Sequence, residues 1–363
     1  QTTNNRQQTL PEITRNSLQG SVSVSRAIRQ NTVFLPVVPR SQPPPALDLL
    51  NSVFPMMEND FLQSLERRFT PRPPVLTGIG DDGAVLEADS SRKIVVVTDM
   101  LLDGTHFRLA EVSPVLVGRK AIAVNLSDLA AMLAKPTAAF ISLALPRDNS
   151  TNLQWLAEQL YQGLQELADQ YDCVIAGGDT NSWEGPFAIN VTLTGSPLGK
   201  QIPLRSGALP GDLLFVTGPL GGSLLHQRHL TFQPRLDAAQ WLADNVPVSA
   251  LMDISDGLAT DLPRMMLASR TSAVLDMTRI PIHTDVPASL PHEQRLQAAL
   301  NDGEDFELLL AVPAETASVL LSAPNHLHFH PIGSVQAGTG VRLKLANGEL
   351  VQLPPGGWQH HLQ

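Results

Sequence analysis

The sequence predicts a mixed fold, α/β or α+β, built in two domains. Its 363 residues are about twice the length of a typical domain. From Ile79 onward, strand-like and helix-like segments alternate in both halves of the chain, and such mixing is typical of α/β and α+β folds. Residues 198–210 are enriched in Gly and Pro, which predicts a domain boundary at about residue 200.

Each predicted element follows from a local pattern. Residues 94–98 are mostly valine and isoleucine, which predicts a buried strand. Ser113-Pro114 combines a cap residue with a first-turn proline and predicts a helix start. Leucines at helical spacing predict a second helix. In chain order, the elements are a strand at 94–98, a helix from 113 to about 134, a strand at 138–145, a helix at 151–168, a strand at 173–176 ending at Gly177-Gly178-Asp179, and strands at 187–193 and 213–216.

The first 56 residues differ from the rest in composition. They are rich in Gln, Asn, Ser, Thr and Pro, and they hold five Arg, no Lys and two acids. Their net charge is +3, so residues 57–363 carry −13 of the total of −10. This composition predicts a disordered or targeting-like extension. The predicted division is therefore 1–56, 57–200 and 201–363.

Composition excludes several functional classes. A net charge of −10 with only five lysines argues against a general nucleic-acid binder, which needs a basic face. The apolar runs are far shorter than the ~20 residues of a membrane span. The single cysteine, Cys173, excludes an internal disulfide framework and a cysteine-based zinc site. We expect a soluble cytoplasmic protein.

Many of the acidic residues follow glycines or end apolar strands. Each Asp-Gly alone fits an ordinary turn, but several converging carboxylates repel one another unless cations neutralise them. Oxygen ligands without Cys or His favour Mg²⁺, which bridges carboxylates to phosphates. The set therefore predicts a magnesium–nucleotide site. Its segments are Gly80-Asp81-Asp82-Gly83, Thr98-Asp99, Asn125-Leu126-Ser127-Asp128, Gly177-Gly178-Asp179, Asp253-Ile254-Ser255-Asp256-Gly257 and Asp302-Gly303-Glu304-Asp305.

The common nucleotide-binding motifs do not account for this site. The chain has no Gly-x-x-x-x-Gly-Lys-Ser/Thr loop, which excludes a P-loop kinase. It also lacks the His-Arg-Asp and Asp-Phe-Gly motifs of protein kinases. Gly78, Gly80 and Gly83 match a dinucleotide-binding pattern, but the acids Asp81 and Asp82 in that loop would repel a pyrophosphate.

The motifs together resemble those of the thiamine-monophosphate kinase family, in the superfamily of aminoimidazole ribonucleotide synthetase and selenophosphate synthetase. The resemblance runs from about Met57 to Trp358. The matching segments are Gly78-Ile79-Gly80-Asp81-Asp82, Thr98-Asp99 with Gly104-Thr105-His106-Phe107, residues 123–132 around Asn125-Leu126-Ser127-Asp128, Gly177-Gly178-Asp179-Thr180, residues 205–212 from Arg205-Ser206-Gly207 to Gly211-Asp212, Asp253-Ile254-Ser255-Asp256-Gly257-Leu258, and residues 303–308 from Gly303-Glu304-Asp305.

The resemblance implies an aminoimidazole ribonucleotide synthetase-like fold. Its N-terminal sheet domain binds metal and ATP and pairs with that of a second subunit in a homodimer, and an α/β C-terminal domain covers the site. The implied reaction is the Mg²⁺-dependent transfer of the γ-phosphate of ATP to thiamine monophosphate, which gives thiamine diphosphate and ADP. The implied catalytic residues are Asp128, Asp179 and Arg205; the metal ligands are Asp82, Thr98, Asp99, Asp128, Asp179, Asp253 and Asp256; the ATP contacts are Tyr161, Gly178, Asp179, Arg205 and Ser255; the substrate contacts are His106, Glu304 and Trp358.

Physical chemistry is consistent with these implied roles. The acceptor is already a phosphate, largely ionised at neutral pH, so no general base is required. Two polyanions must be held in line, which is a problem of charge neutralisation. Several Mg²⁺ ions, together with bidentate hydrogen bonds from Arg205, would neutralise this phosphate charge. His106 would donate to the acceptor phosphate, Glu304 would pair with a positive or amino-bearing ring, and Trp358 would stack on a ring.

Two alternatives remain. One is another ATP-dependent synthetase or kinase of the same superfamily, acting on a different small substrate. Relatives that rely on a reactive cysteine near a terminus do not match, because Cys173 is internal. The other is a nucleotide-binding regulator without catalysis.

Overall fold

The structure, a computed structural model, describes residues 56–89, 92–147, 152–358 and 361–362. The predicted extension at 1–56 lies outside the described residues, apart from Met56. The predicted division at residue 200 stays a prediction. Near the two ends of the described chain, strand β1 (Met56–Met57) pairs antiparallel with strand β15 (His361–Leu362).

Six strands between residues 75 and 197 form the first sheet. They are β2 (Val75–Thr77), β3 (Ala84–Asp89), β4 (Arg92–Leu102), β5 (Ala134–Pro146), β6 (Val174–Trp183) and β7 (Ala188–Pro197). Their order is β2-β3-β4-β7-β5-β6, with β5 and β6 parallel and the other pairs antiparallel. Strand β6 is therefore an edge strand.

Seven strands between residues 213 and 352 form the second sheet. They are β8 (Leu213–Val216), β9 (Ala250–Asp253), β10 (Ser272–Asp276), β11 (Leu308–Val312), β12 (His330–Gln336), β13 (Gly340–Lys344) and β14 (Leu350–Gln352). Their order is β14-β13-β10-β12-β8-β11-β9, and β10 with β13 is the parallel pair.

Eight α-helices accompany these strands in the described chain. They are α1 (Glu58–Arg68), α2 (Pro114–Ala131), α3 (Leu153–Gln170), α4 (Arg228–Thr231), α5 (Leu236–Asn245), α6 (Leu258–Ser269), α7 (His292–Asn301) and α8 (Ala317–Leu321), with a 3₁₀ turn at Ala314–Thr316. Among the described residues, we find no helix with the length and apolar character needed to cross a membrane.

Helix α2 is the central element of the molecule. It packs against α3 and the first sheet, and also against α4, α5 and β9 of the second half. Because it has neighbours around most of its circumference, most of its residues are buried. Two glycines allow the close α2–α3 packing: a Cβ at Gly118 would lie 2.0 Å from the carbonyl oxygen of Leu160, and one at Gly163 would lie 1.8 Å from that of Val115.

The second sheet is buried on both faces near its centre. Leu308, Leu310 and Val312 of β11 belong to the core shared with α2 and the first sheet. The alternate residues Leu309 and Ala311 belong to a separate core with α6 and α7. This alternation follows from the two-residue side-chain period of a strand. Helix α2 and the second sheet are thus joined by one apolar core.

The mixed α/β class and most of the predicted elements are confirmed. The predicted helix from Ser113 begins as expected, with the Ser113 side chain accepting a hydrogen bond from the Val115 N–H at 3.3 Å. It ends at Ala131 rather than near Ala134, because Leu133 has a φ of 44° and left-handed backbone does not continue an α-helix. Strand β5 then begins at Ala134.

Two predicted strand ends are wrong. Strand β4 continues past Thr98 to Leu102, so Asp99 lies within a strand. Gly177-Gly178-Asp179 also lies within a strand, β6, rather than in a turn. A Cβ at Gly178 would lie 1.7 Å from the carbonyl oxygen of Ile141. Glycine is therefore needed there because the neighbouring strand approaches closely, and not because the chain turns.

Candidate active site

One large cavity lies where the first sheet, helix α2 and the second half meet. Its volume is about 1220 Å³, enough for more than one ligand of drug size. Eleven of the sequence-predicted site residues line it. They are Asp82, Thr98, Asp99, His106, Asp128, Arg205, Asp253, Ser255, Asp256, Glu304 and Trp358.

Three carboxylates converge at this cavity from distant parts of the chain. Asp82 follows β2 in a loop, Asp128 lies in the last turn of α2, and Asp253 ends β9. One carboxylate oxygen of each lies within 4.8 Å of the other two. Among the described residues, Asp82 Oδ2 is buried without a hydrogen-bond partner, so this oxygen is able to accept a cation.

The acidic cluster is electrostatically unfavourable without a counter-charge. Burial raises the pKa of Asp128, and the nearby carboxylates of Asp99 and Asp253 raise it further. Burial and the charge of Asp82 likewise raise the pKa of Asp253. Burial also raises the pKa of Asp99, although its hydrogen bond with Asp128 opposes this change. The cluster therefore favours either bound protons or bound cations.

Arg205 is anchored beside this cluster by two neighbouring acids. Its guanidinium donates to Asp82 Oδ1 from Nη2 at 2.5 Å and from Nε at 3.2 Å. Its backbone N–H donates to Asp81 Oδ1 at 2.6 Å. Burial opposes the charged form of Arg205, but the charges of Asp82, Asp261 and Asp253 raise its pKa. The Arg205 guanidinium is therefore held at the edge of the acidic cluster, next to Asp82.

The loop between β9 and α6 is fixed by its own ion pairs. The Asp256 N–H donates to Asp261 Oδ2 at 3.0 Å, and Arg264 binds both Asp256 and Asp261. The Asp256 carbonyl accepts from the Trp358 N–H at 2.9 Å. Ser127 of α2 donates to Asp253 Oδ2 at 2.6 Å. Asp253 and Asp256 are thus held in defined positions along the cavity wall.

Thr98 and Asp99 point in different directions, since neighbouring side chains of a strand face opposite sides. Asp99 hydrogen-bonds with Asp128 on the cavity side. The Thr98 hydroxyl lies 2.9 Å from Thr192 Oγ1 and 3.3 Å from the Val191 carbonyl oxygen. Thr98 therefore lines the cavity without its hydroxyl joining the three-carboxylate cluster.

The predicted substrate contacts lie along the same cavity. The His106 ring accepts at Nδ1 from the Leu102 N–H at 2.9 Å, so its Nε2 carries the proton in the neutral ring. Glu304 has a φ of 52° and is bound by Lys120. Trp358 is 53% exposed. A donor, a carboxylate and an aromatic ring therefore share one cavity with the acids.

Three predicted residues are not among those that line this cavity in the described chain. Tyr161 lies on α3 beside the first core, where burial raises its pKa. Gly178 and Asp179 lie on the edge strand β6 and are exposed. The Asp179 carboxylate accepts from the Thr180 N–H at 2.9 Å and from Asn181 Nδ2 at 2.8 Å. A single copy of the chain therefore does not bring Asp179 to the acidic cluster.

Four residues that shape the site were not predicted from the sequence. Ser127 lies inside a quoted motif and could have been found from it. Asp261 and Arg264 follow Asp256 at spacings of five and eight residues, which places them on the first turns of the next helix. Lys120 gave no usable signal, because a lysine in a helical pattern usually faces solvent.

Family models match both halves of the chain. Residues 80–197 match the N-terminal domain of AIR synthase related protein, and residues 210–346 match the C-terminal domain. The thiamine-monophosphate kinase of Rhodopirellula baltica is 41% identical over 313 residues, 84% of this chain and 97% of the relative. That of Escherichia coli K12 is 34% identical over 318 residues, 81% of this chain and 95% of the relative.

Solved structures show the same relationship. AaThiL, complexed with AMPPCP and TMP, has a TM-score of 0.71 at 30% identity, covering 84% of this chain and 97% of that chain. Thiamine-monophosphate kinase from Stenotrophomonas maltophilia K279a has a TM-score of 0.64 at 32% identity, covering 80% and 96%. Together with the acidic cavity, these matches show that the chain belongs to the AIR synthase related family, and within it to the thiamine-monophosphate kinases.

Proposed function

We propose that this protein is a kinase that transfers the γ-phosphoryl group of ATP to thiamine monophosphate, giving thiamine diphosphate and ADP. The observation that carries the proposal is the convergence of Asp82, Asp128 and Asp253 beside Arg205 at one cavity of a chain of this family. A cavity of about 1220 Å³ has room for a nucleotide and a second small substrate.

Mg²⁺ fits the residues at this cavity. Carboxylate oxygens are the ligands it prefers, and Asp82 Oδ2, which has no hydrogen-bond partner among the described residues, is able to bind it. We assign Asp82, Asp128 and Asp253 as the principal ligands, with Asp99 and Asp256 beside them. Thr98 and Asp179 complete the set that the family resemblance implies. The bound metal would neutralise phosphate charge, which is the main chemical demand of phosphoryl transfer.

The chain's own residues hold and orient the two substrates. Arg205, already fixed by Asp82, offers its remaining N–H groups to phosphate oxygens. Ser255 lies beside Asp256 at the start of α6 and contacts the nucleotide. At the acceptor end, His106 donates from Nε2 to the phosphate and Trp358 packs against a ring. No residue needs to remove a proton, because the accepting phosphate oxygen is ionised at neutral pH.

We also propose that the protein is a homodimer formed through the first sheet. The face of this sheet opposite α2 presents exposed apolar side chains, including Met100 at 57% and Phe140 at 43% exposure. Large exposed apolar residues clustered on one face favour a protein partner. A second copy there would also give Asp179, on the edge strand β6, a role at a neighbouring cavity. The proposed compartment is the cytoplasm, where ATP and Mg²⁺ are abundant.

The direct test is an acceptor screen with purified protein, ATP and MgCl₂. Products are separated chromatographically, and we expect equal amounts of ADP and thiamine diphosphate with thiamine monophosphate as acceptor. Chelation with EDTA should abolish transfer, and added Mg²⁺ should restore it. Thiamine without phosphate is the matched control and should accept nothing.

Three outcomes would contradict the proposal. Phosphate transfer to another small molecule, with none to thiamine monophosphate, would favour another ATP-dependent kinase or synthetase of the superfamily. ATP hydrolysis without transfer would favour the same alternative. Nucleotide binding with no turnover on any acceptor would favour a regulatory protein.

A further inference from the structure

Lys120 is a fully buried lysine in the middle of α2. Its side chain has 0% exposure, and lysine is rarely buried to this degree unless it is paired. Its Nζ donates to Glu304 Oε1 at 2.7 Å, to Glu304 Oε2 at 2.8 Å and to the His106 carbonyl oxygen at 2.9 Å. All three ammonium protons therefore have acceptors.

These contacts join two segments that are far apart in sequence. His106 lies in the turn after β4, and Glu304 lies between α7 and β11. Both residues line the cavity, whereas Lys120 does not appear among its lining residues. Lys120 therefore lies behind the cavity wall and links the turn of the first sheet to the turn of the second half.

The Glu304 turn needs such support because its backbone is strained. Glu304 has a φ of 52°, and left-handed backbone is unfavourable for a residue other than glycine. The Glu304 N–H donates to the Ser255 carbonyl oxygen at 2.6 Å, and Ser223 Oγ donates to the Gly303 carbonyl oxygen at 2.6 Å. These bonds fix the backbone, and Lys120 fixes the carboxylate.

The ion pair also determines which side of Glu304 faces the cavity. Both carboxylate oxygens bind the same ammonium group, and the Glu304 side chain keeps 23% exposure. Each oxygen has a second lone pair, so the exposed edge remains able to accept from an amino or ring N–H group. Without Lys120, the carboxylate would be released to rotate away from this position.

We infer that Lys120 is a positioning residue for the acceptor end of the cavity, holding Glu304 and the His106 turn in the geometry that binds thiamine monophosphate. This inference rests on the proposed function. It places Lys120 outside the reacting groups, since its ammonium group hydrogen-bonds to His106 and Glu304, the two residues that line the wall. Its loss should therefore weaken acceptor binding and leave nucleotide binding unchanged.

The test is Lys120→Met, which keeps the length of the side chain and removes the charge. We expect the KM for thiamine monophosphate to rise about tenfold or more, as for loss of a hydrogen bond to a charged group. The KM for ATP should stay within twofold. Glu304→Gln should give a similar rise, and the double variant should not exceed the larger single effect, because both changes break one link.

Arg235→Met is the matched control for losing a buried ion pair. Arg235 donates to Glu307, whose side chain is 2% exposed, and neither residue lines the cavity. This variant should lower the melting temperature and leave the KM for thiamine monophosphate unchanged. If Lys120 had a merely structural role, Lys120→Met would likewise lower the melting temperature and leave the KM for thiamine monophosphate unchanged.

The outcomes separate this inference from the proposed function. If the wild type fails to phosphorylate thiamine monophosphate, the proposed function is wrong. If the wild type is active, an unchanged acceptor KM in Lys120→Met overturns the positioning role. If Lys120→Met does not fold, Lys120→Gln decides, because it removes the charge and keeps a polar side chain: a selective rise in the acceptor KM supports the inference, and no rise overturns it.

Discussion

At the scale of single residues, the acidic cluster links stability to cation binding. Asp82, Asp128 and Asp253 bring carboxylate oxygens within 4.8 Å of one another, and each ionised member raises the cost of ionising the next. Burial is the largest cause that raises the pKa of Asp128 and Asp253. A carboxyl group whose pKa is higher in the folded than in the unfolded state stabilises the fold less as the pH rises. The metal-free cluster thus destabilises the protein at neutral pH.

Asp128→Asn should separate the effect of the acidic cluster on stability from its effect on cation binding. We expect turnover to fall by at least two orders of magnitude, because the cluster loses a ligand and a charge. The melting temperature of metal-free protein at pH 7 should rise, since one repelling charge is gone. The upward shift of the melting temperature with added Mg²⁺ should shrink or vanish. Calorimetry with and without MgCl₂ measures both quantities.

Asp172→Asn is the control for loss of one negative charge. Its side chain is 82% exposed and lies 3.6 Å from Lys135, a surface pair of little energetic value. Turnover and the Mg²⁺-dependent shift should match wild type. If Asp128→Asn kept both the turnover and the Mg²⁺-dependent shift of the wild type, Asp128 would not be a metal ligand.

Sequence reasoning found most of the cavity's residues because acids in glycine-rich segments leave a visible pattern. Asp82 stands between glycines, Asp253 ends an apolar run shortly before Gly257, and Asp128 stands in the Asn125-Leu126-Ser127-Asp128 motif. Lys120 left no such pattern, because its meaning depends on burial between two halves of the molecule. Thr98 was found as a residue, but the direction of its hydroxyl depends on where β4 ends, which the sequence did not predict.

At the scale of elements, the closeness of α2 and α3 depends on two glycines. A Cβ at Gly163 would lie 1.8 Å from the Val115 carbonyl oxygen, and backbone atoms cannot move aside without shifting a helix. Alanine at a helix interior normally gains about 1 kcal/mol over glycine. The steric overlap with Val115 should turn this gain in stability into a loss.

We expect Gly163→Ala to lower the free energy of unfolding by about 2 kcal/mol, as for overpacking of a tight interior. Denaturation in urea measures the change. Gln162→Ala, at the exposed neighbouring position, is the control and should change the value by less than about 0.5 kcal/mol. A stabilised Gly163→Ala protein would show that the helices lie further apart than the structure has them.

Element boundaries were the least predictable part of the fold. The periods of the apolar residues sufficed to predict α2, α3 and the central strands. Gly177-Gly178-Asp179 was predicted as a turn, since two glycines before an acid usually form one. In the structure, Gly178 admits the backbone of the neighbouring strand near Ile141. Such a requirement arises from a residue 37 positions away and has no local signature.

At the scale of the whole molecule, part of the acidic charge lies at one cavity. Residues 57–363 carry −13, and several of these acids line a single cavity. Yet Asp179, which the family resemblance places among the metal ligands, lies on the exposed edge strand β6. The proposed homodimer reconciles these observations if Asp179 of one copy serves the cavity of the other.

Mixing two inactive variants tests this arrangement. In a dimer of one Asp128→Asn chain and one Asp179→Asn chain, sharing across the interface would leave one site with both changes and one site intact. Random assortment should then restore about a quarter of wild-type activity. If both residues served the same chain's cavity, each site would carry one change and no activity would return. Co-expression with two affinity tags, followed by the transfer assay, measures the recovery.

Mixing Asp128→Asn with Asp253→Asn is the matched control, because these two carboxylates belong to one cavity of one chain. No activity should return in that mixture, although mixed dimers form equally well. Light scattering establishes the oligomeric state of each preparation. Mixed dimers of Asp128→Asn and Asp179→Asn that stayed inactive would remove Asp179 from the neighbouring site. A fully active monomer would do the same, because each copy would then complete its acidic site without the edge strand of another.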